Sequence, residues 1–237
     1  MGYPDVAPAN TVASAVAAVE AGADMVEIDV SLTSDGHAIA IHGPRLESST
    51  DGAGPIRRMD LAGIRALNAK HRGDVVPGAR VPEVVEIVEA VPEAAFNFDL
   101  KTGRAIPVVL ELIRAAQLQD RCVVSGATAS RVGRLRRASR DITLLLNLNR
   151  FDKAIASTRF GAAWLAVRYR RLLRCDDVLA LNISHRFVTQ DLVDRVHRLG
   201  AEVWAYTADQ PGHVTRLHEL GVDSITTNRV GDLPPLR

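Results

Sequence analysis

Along its 237 residues the chain alternates short apolar runs rich in Val and Ile with longer segments whose apolar residues recur at helical spacing. After residue 94 the alternation becomes regular. Strands are predicted over AAFNFDLK, RCVVSGA, ITLLLNL, VLALNIS and AEVWAYTA, each followed by a helical pattern, and over a last run, VDSITTN. Strands joined by helices of this length need crossover connections, which favour a parallel sheet. The pattern therefore predicts an α/β protein.

Before residue 95 the pattern predicts a helix over VASAVAAVEAG and strands over MVEIDVSL and AIAIH, with a turn at Ser34-Asp35-Gly36. One short amphipathic piece, MDLAGIRALNA, lies among Gly, Pro and charged residues at 44–80, and VPEVVEIVEAV predicts a helix with Pro near its start. Including MVEIDV and leaving out the short run AIAIH, seven strands can be counted, whereas a closed TIM (β/α)8 barrel has eight. We therefore predict one barrel domain over residues 1–237, with an insertion at roughly 43–80 and with its first strand missing from the chain.

Composition excludes several classes of protein. Hydrophobic residues make up 47% of the chain, which is enough for a large core, and the net charge of +1 gives no general attraction to nucleic acid or anionic membranes. Because no window approaches 18 uncharged apolar residues and no signal peptide is visible, we expect a cytoplasmic protein without a membrane span. The two cysteines are far apart, as is typical of reduced thiols. The gap left by a missing strand would expose unpaired edges, so pairing with a neighbouring chain, and hence an oligomer, is possible.

Carboxylates interrupt two of the predicted strands. Because side chains alternate along a strand, Glu27 and Asp29 share one face of MVEIDVSL, and Asn97, Asp99 and Lys101 share one face of FNFDLK. Barrel strands are buried on both faces, where a carboxylate is costly unless it is paired or binds a metal. These oxygen donors, near the strand ends where barrel active sites form, suit a hard cation, Ca²⁺ or Mg²⁺, with an anion beside it. The alternative is an internal salt-bridge network, such as Lys101 with Asp99, without a metal.

Taken in order, these segments resemble the glycerophosphodiester phosphodiesterase family of metal-dependent TIM-barrel enzymes. The stretch from APANT to AIAIHG is similar to the family's opening block, which runs from Pro-Glu-Asn-Thr through Glu-x-Asp-Val and Thr-x-Asp-Gly to His-Asp. RVPEVVEIVEAV resembles its Pro-Thr-Leu-Glu-Glu-x-Leu helix, and FNFDLK its Asn-x-Glu-x-Lys strand. VWAYTAD and GVDSITTNR are similar to its Val-x-x-Trp-Thr strand and its closing Gly-Val-Asp-Gly-x-x-Thr-Asp. The resemblance covers essentially the whole chain.

The resemblance implies hydrolysis of a small glycerophosphodiester to an alcohol and glycerol phosphate, with no nucleic-acid partner. It implies that three carboxylates bind Ca²⁺ or Mg²⁺, namely Glu27, Asp29 and Asp99. Lys101 would contact the phosphate, and Tyr206 occupies the position of the family's substrate-contacting Trp. His42 would be one of two histidines that serve as general acid and base.

Departures from the family pattern favour a second hypothesis. The family's other histidine belongs to a His-Arg-Gly before the opening block, and here only Gly2 matches that tripeptide. Four further positions differ from the pattern: Ala9, Gly43, Asp99 and Asn228. The alternative to an active hydrolase is therefore a degenerate, catalytically impaired relative that binds a phosphorylated ligand.

Three other features have a functional and a structural interpretation. His71-Arg72-Gly73 reproduces the catalytic tripeptide, but it follows a helix-like segment in the insertion and is interpreted as a solvated loop. His185 follows a predicted strand, so it is either a replacement acid or base or a histidine on the rim. Five arginines between residues 131 and 140 are interpreted as the solvated face of a helix.

Overall fold

The computed structural model describes residues 1–156, 158–174 and 178–233. The chain divides into two compact units. The first comprises Met1–Val124 and Asn228–Gly231, and the second comprises Ser125–Thr227 and Asp232–Arg237. A single domain over residues 1–237 stays a prediction.

The first unit is built around a buried strand, β1, and its two neighbours. Its elements are α1 (Val12–Glu20), β1 (Met25–Leu32), β2 (Ala38–Ala40), α2 (Leu61–Arg65), β3 (Asn68–His71), β4 (Asp74–Arg80), α3 (Val84–Ala90), β5 (Ala95–Leu100) and α4 (Ile106–Ala115). Strand β1 pairs in parallel with β5 and antiparallel with β2. The strand predictions over MVEIDVSL, AIAIH and AAFNFDLK are therefore confirmed.

The apolar face of β1 and β5 forms the core beneath the helices. Val26 and Ile28 lie opposite Phe96 and Phe98 in the strand register, and all four side chains are buried. The two phenylalanine rings stack with their centroids 5.7 Å apart. Because side chains alternate along a strand, this packing directs the carboxylates of both strands to the opposite face.

Helix α3 begins three residues later than the pattern predicted. Glu83 is the N-cap: its side chain accepts from the backbone N–H of Glu86, whose side chain in turn accepts from the N–H of Glu83. Pro82 lies before this capping box and outside the helix, so it does not occupy the first helical turn. The helix itself is confirmed, and only its start was wrong.

The insertion has its own small core, and this corrects the prediction of one amphipathic piece over MDLAGIRALNA. Helix α2 ends at Arg65, and the chain then enters the β3–β4 hairpin. The two residues of the hairpin turn, Arg72 and Gly73, have positive φ of 52° and 98°, as tight hairpin turns of this length require. Six buried aliphatic side chains pack together here: Ile39, Ile41, Leu46, Ile56, Ile64 and Val81.

The second unit repeats the strand–helix pattern. The chain enters it through β6 (Cys122–Ala127), whose thiol at Cys122 is free and buried, while Cys175 lies outside the described residues. The later elements are α5 (Ala129–Ala138), β7 (Thr143–Asn147), α6 (Arg150–Ala156), α7 (Gly161–Arg174), β8 (Ala180–Ser184), α8 (Gln190–His197), β9 (Glu202–Tyr206), α9 (Pro211–Glu219) and β10 (Ser224–Ile225). Strands β7 to β10 pair in parallel in chain order, as predicted. In the described part of the chain, no helix is long and apolar enough to cross a membrane.

Candidate active site

The carboxylates of β1 and β5 converge because the two strands pair in register. Asp29 lies opposite Asp99 and Glu27 lies opposite Asn97. One oxygen from each of the three carboxylates lies within 4.8 Å of the other two. The structure therefore brings together the three residues that the sequence analysis predicted as metal ligands. We call Glu27, Asp29 and Asp99 the carboxylate cluster.

Asp29 is the centre of the cluster. Its side chain is 1% exposed, and it accepts hydrogen bonds at Oδ2 from His42 Nδ1 at 2.8 Å and from Asn10 Nδ2 at 3.0 Å. Its other oxygen lies 2.5 Å from Lys101 Nζ, which also contacts Asp99. Both oxygens of this buried carboxylate are thus compensated, which is what burial of a charge requires.

Asn10 is a site residue that the sequence analysis missed. Its amide nitrogen donates to the Asp29 carboxylate, and its oxygen accepts from the Asp29 backbone N–H at 3.0 Å. Asn10 is 3% exposed and has a φ of 60°, a conformation that asparagine tolerates better than most residues. Asn10 lies directly before Thr11, the N-cap of α1, so the sequence around it is typical of a helix start.

The charges in and beside the carboxylate cluster determine which of these groups are ionised. Burial alone would raise the pKa of Asp29, but the hydrogen bond from His42 and the charge of Lys101 outweigh burial and hold that pKa well below its usual range. Burial would lower the pKa of Lys101, but the charges of Asp99 and Asp29 raise it above its usual value. Asp29 is therefore ionised and Lys101 protonated at neutral pH. The predicted salt-bridge network of Lys101 with Asp99 is present.

Glu27 and Asn97 complete the polar face. Burial raises the pKa of Glu27, and the neighbouring charges of Asp29 and Asp99 raise it further, so a cation here would favour its ionised form. Asn97 is 5% exposed, and among the described residues its Oδ1 has no hydrogen-bond partner. An unpartnered buried oxygen beside three converging carboxylates is the donor set that Ca²⁺ or Mg²⁺ prefers. The residues present therefore fit a hard divalent cation.

His42 is held against Asp29 by its backbone as well as its ring. Ile41, one residue earlier, donates its N–H to the Asp29 carbonyl at 3.0 Å, and the hydroxyls of Ser48 and Ser49 donate to the His42 carbonyl. Because ionised Asp29 can only accept, the hydrogen lies on His42 Nδ1 and Nε2 is left to exchange protons. The hydrogen bond to Asp29 raises the pKa of His42. The side chain is 58% exposed, so solutes can reach it.

The remaining candidates belong to other elements of the two units. Tyr206 ends β9 in the second unit, where Lys153 Nζ lies 6.0 Å from the centre of its ring. His185, also in the second unit, follows β8 directly, and its ring centroid lies 4.7 Å from that of His213. His71 ends β3 at the hairpin turn, so the interpretation that this tripeptide is a loop after a helix-like segment was wrong for His71. Arg72, the next residue, contacts Asp5 at 3.4 Å rather than the carboxylate cluster.

The backbone conformation at residue 43 explains why a glycine stands there in place of the aspartate of the family motif. Its φ of +86° is a conformation that residues with a Cβ rarely adopt, and a Cβ would lie 3.0 Å from Ser48 Oγ. We predict that Gly43→Ala lowers the free energy of unfolding by about 1 to 2 kcal/mol. Chemical denaturation of both proteins measures this. A Gly43→Ala variant as stable as the parent would show that a side chain at this position causes no strain. Gly43→Asn is the control, because asparagine tolerates positive φ better than alanine does.

Comparison of the sequence with known proteins identifies a family that matches nearly the whole chain. The model of the glycerophosphoryl diester phosphodiesterase family matches residues 2–232. A glycerophosphodiester phosphodiesterase of Caldanaerobacter subterraneus subsp. tengcongensis is 25% identical over 93% of this chain and 88% of its own length. These similarities extend across both units, so they are not limited to the carboxylate motifs.

Solved structures show the same fold. A phosphodiesterase of Oleispira antarctica in complex with the product sn-glycerol-3-phosphate superposes with a TM-score of 0.83 at 24% identity, covering 98% of this chain and 92% of that one. The glycerophosphodiester phosphodiesterase of Agrobacterium tumefaciens gives 0.76 at 23% identity, covering 97% and 94%. The predicted TIM-barrel fold is therefore confirmed. With the family model matching nearly the whole chain, the protein belongs to the glycerophosphoryl diester phosphodiesterase family.

Proposed function

We propose that this protein is a divalent-metal-dependent phosphodiesterase that hydrolyses glycerophosphodiesters to an alcohol and glycerol phosphate. One observation carries the proposal: three carboxylate oxygens converge within 4.8 Å, and one of those carboxylates also holds His42 by a 2.8 Å hydrogen bond. Membership of the family supports the reaction class. The glycerol phosphate bound to the Oleispira antarctica phosphodiesterase supports the nature of the product.

The proposed metal site consists of Glu27, Asp29 and Asp99, with Asn97 Oδ1 as a further oxygen donor. A bound Ca²⁺ or Mg²⁺ would polarise the phosphoryl group and neutralise the charge that develops on it. Lys101 carries a full positive charge beside these carboxylates, and we assign it to the phosphate oxygens of the substrate. A role for Tyr206 in substrate contact stays a prediction from the family resemblance.

His42 is the proposed proton-transfer group. Its Nδ1–H is committed to Asp29, so Nε2 is the atom that accepts or releases a proton. The attacking oxygen, from water or from a neighbouring substrate hydroxyl, forms a bond to phosphorus as the bond to the alcohol oxygen breaks. The proton lost by the attacking oxygen is matched by the one gained by the leaving alkoxide. His42 takes part in one of these two transfers.

Removal of divalent metal is expected to abolish turnover. Protein dialysed against EDTA should release no glycerol phosphate from glycerophosphocholine or glycerophosphoethanolamine, and added Ca²⁺ or Mg²⁺ should restore release. The reason is that carboxylates are negatively charged, so the cluster needs a bound cation to polarise the phosphoryl group. Calorimetric titration of the metal alone is the second measurement, in which Glu27→Gln should weaken affinity at least about tenfold. Full activity in EDTA would contradict the proposal.

The alternative function is a catalytically impaired relative that binds a phosphorylated ligand. The first unit, whose residues are all described, contains three histidines, and their positions favour this alternative. His37 pairs with Glu83 and His71 ends β3, so within this unit only His42 contacts the carboxylate cluster. Metal binding together with glycerol phosphate binding, but without turnover of any phosphodiester, would identify this alternative. Turnover that is lost in Glu27→Gln would exclude it.

A further inference from the structure

Large apolar side chains are exposed together in one segment of the second unit, residues 150–156 and 158–174, which we call the α6–α7 face. Phe151 is 61% exposed, Phe160 64% and Val167 77%. Both of the strongly exposed phenylalanines in the described part of the chain lie here. Exposed apolar groups clustered in one segment indicate an interaction surface rather than scattered surface residues.

The periodicity of α7 separates an inner from an outer side. Gly161, Leu165, Tyr169 and Leu173 recur every four residues and are buried, so this stripe packs against the protein. Val167 and Arg171 are four residues apart on the side opposite the stripe, and both are exposed. The outer side of α7 therefore presents apolar and cationic groups next to each other.

The α6–α7 face is strongly positive. The segment contains one acidic residue, Asp152, and seven basic residues: Arg150, Lys153, Arg159, Arg168, Arg170, Arg171 and Arg174. Asp152 is completely buried, 3.1 Å from Arg168 Nε, so it offsets the charge of Arg168 alone. Asp176 and Asp177 follow in the sequence, and the segment stays positive when they are counted. The net charge of +1 for the whole chain conceals this concentration.

We propose that the α6–α7 face docks on membranes that contain anionic phospholipids. Surfaces that bind such membranes combine arginine and lysine, which attract the headgroup phosphates, with aromatic and aliphatic side chains that enter the boundary with the acyl chains. Phe151, Phe160 and Val167 provide the second component and the surrounding arginines provide the first. The proposal is independent of the phosphodiesterase activity, because it concerns none of the residues assigned to the carboxylate cluster.

Other partners fit the α6–α7 face less well. A nucleic acid would need open aromatic faces for stacking. However, the Arg159 guanidinium covers the Phe160 ring at 4.5 Å from its centre. The Trp164 ring has Arg168 at 5.0 Å, and the edge-on ring of Phe151 at 5.8 Å. A second copy of this chain, docked face to face, would oppose one set of arginines to another and would be repelled.

Vesicle flotation with the full chain tests the proposal. The protein should float with vesicles of phosphatidylcholine and phosphatidylglycerol in equal amounts, should not float with phosphatidylcholine alone, and should be released by high salt. Arg170→Glu with Arg171→Glu should lower the partition coefficient at least about 30-fold, because two cations near the surface are lost. Phe160→Ser should lower it about tenfold. Val167→Ser is the second apolar variant if Phe160→Ser does not fold, as judged by circular dichroism.

The matched control reverses one arginine of α5, a basic helix in the same unit, and one arginine just after its end. Arg137 and Arg140 are exposed, and α5 has no exposed large apolar side chain. Arg137→Glu with Arg140→Glu changes the net charge by the same amount and should retain flotation. Equal loss in both double variants, or no flotation of the parent protein, would overturn the proposal. Tighter binding of a single-stranded oligonucleotide than of the vesicles in the same buffer, unchanged by Phe160→Ser, would also overturn it.

Discussion

Asp29→Asn is expected to lower kcat/KM for glycerophosphodiester hydrolysis by at least about 1,000-fold. The substitution keeps the shape of the side chain and removes its charge. Asp29 has two proposed tasks, since it is a metal ligand and it fixes the hydrogen-bonding state of His42 through the 2.8 Å bond to Nδ1. A neutral amide performs both poorly. It binds a hard cation more weakly than a carboxylate does, and it can present an N–H to His42 instead of an acceptor.

Stability should also fall in Asp29→Asn. Lys101 keeps Asp99 as a partner, so the loss of charged hydrogen bonds is expected to lower the free energy of unfolding by about 1 to 3 kcal/mol. Denaturation measured on the metal-free protein isolates this effect from metal binding. Because a destabilised protein can lose activity for trivial reasons, the rate has to be measured at a temperature at which both proteins are folded.

Asp152→Asn is the matched control for Asp29→Asn. Asp152 is likewise a completely buried carboxylate next to a cation, Arg168, but it lies in α6 and outside the proposed catalytic residues. Asp152→Asn should lower the free energy of unfolding by a similar amount and should retain the metal-dependent rate. If Asp29→Asn loses no more activity than Asp152→Asn does, Asp29 has only a structural role.

His42→Gln is expected to lower kcat by about 100- to 10,000-fold while KM changes little. The glutamine amide can still donate a hydrogen bond to Asp29, so the carboxylate cluster should keep its arrangement. It cannot accept and release a proton at neutral pH, so the step assigned to His42 Nε2 is lost. Calorimetric titration with Ca²⁺ should give an affinity close to that of the parent, in contrast to Glu27→Gln.

His71→Ala is the control for His42→Gln, and it tests the second His-Arg-Gly tripeptide at the same time. His71 ends strand β3, and the next residue, Arg72, contacts Asp5. We expect activity within about twofold of the parent, since nothing assigned to catalysis is removed. A large loss of kcat in His71→Ala would show instead that the hairpin takes part in the reaction.

Much of this site could be predicted from short-range patterns. The alternation of side chains along MVEIDV and FNFDL placed Glu27 and Asp29 on one face, and Asn97 and Asp99 on one face, because the period of two is a local property of an extended chain. The order of the motifs along the chain indicates the family from residue type and spacing alone. The apolar positions of β1 and β5 were predicted for the same reason, since burial selects Val, Ile and Phe at alternate positions.

Local patterns failed where a residue's neighbours come from distant parts of the chain. The sequence could not show that Asn10, at the start of α1, brackets Asp29 by two hydrogen bonds. It also predicted one amphipathic piece at 59–69, where the chain instead leaves α2 and enters the β3–β4 hairpin. The small core of the insertion, which includes Ile41 beside His42, depends on contacts between residues up to about 40 positions apart.

The sequence by itself determined the α/β class, the family and the identity of the charged residues, because each of these is recorded in residue type and spacing. Only the tertiary structure decided which charges neutralise one another. Strand register sets Asp29 against Asp99, Lys101 contacts both, and Ser48 and Ser49 hold the backbone of His42. The pKa of a buried carboxylate depends on the groups within a few ångströms of it, whatever their separation along the chain.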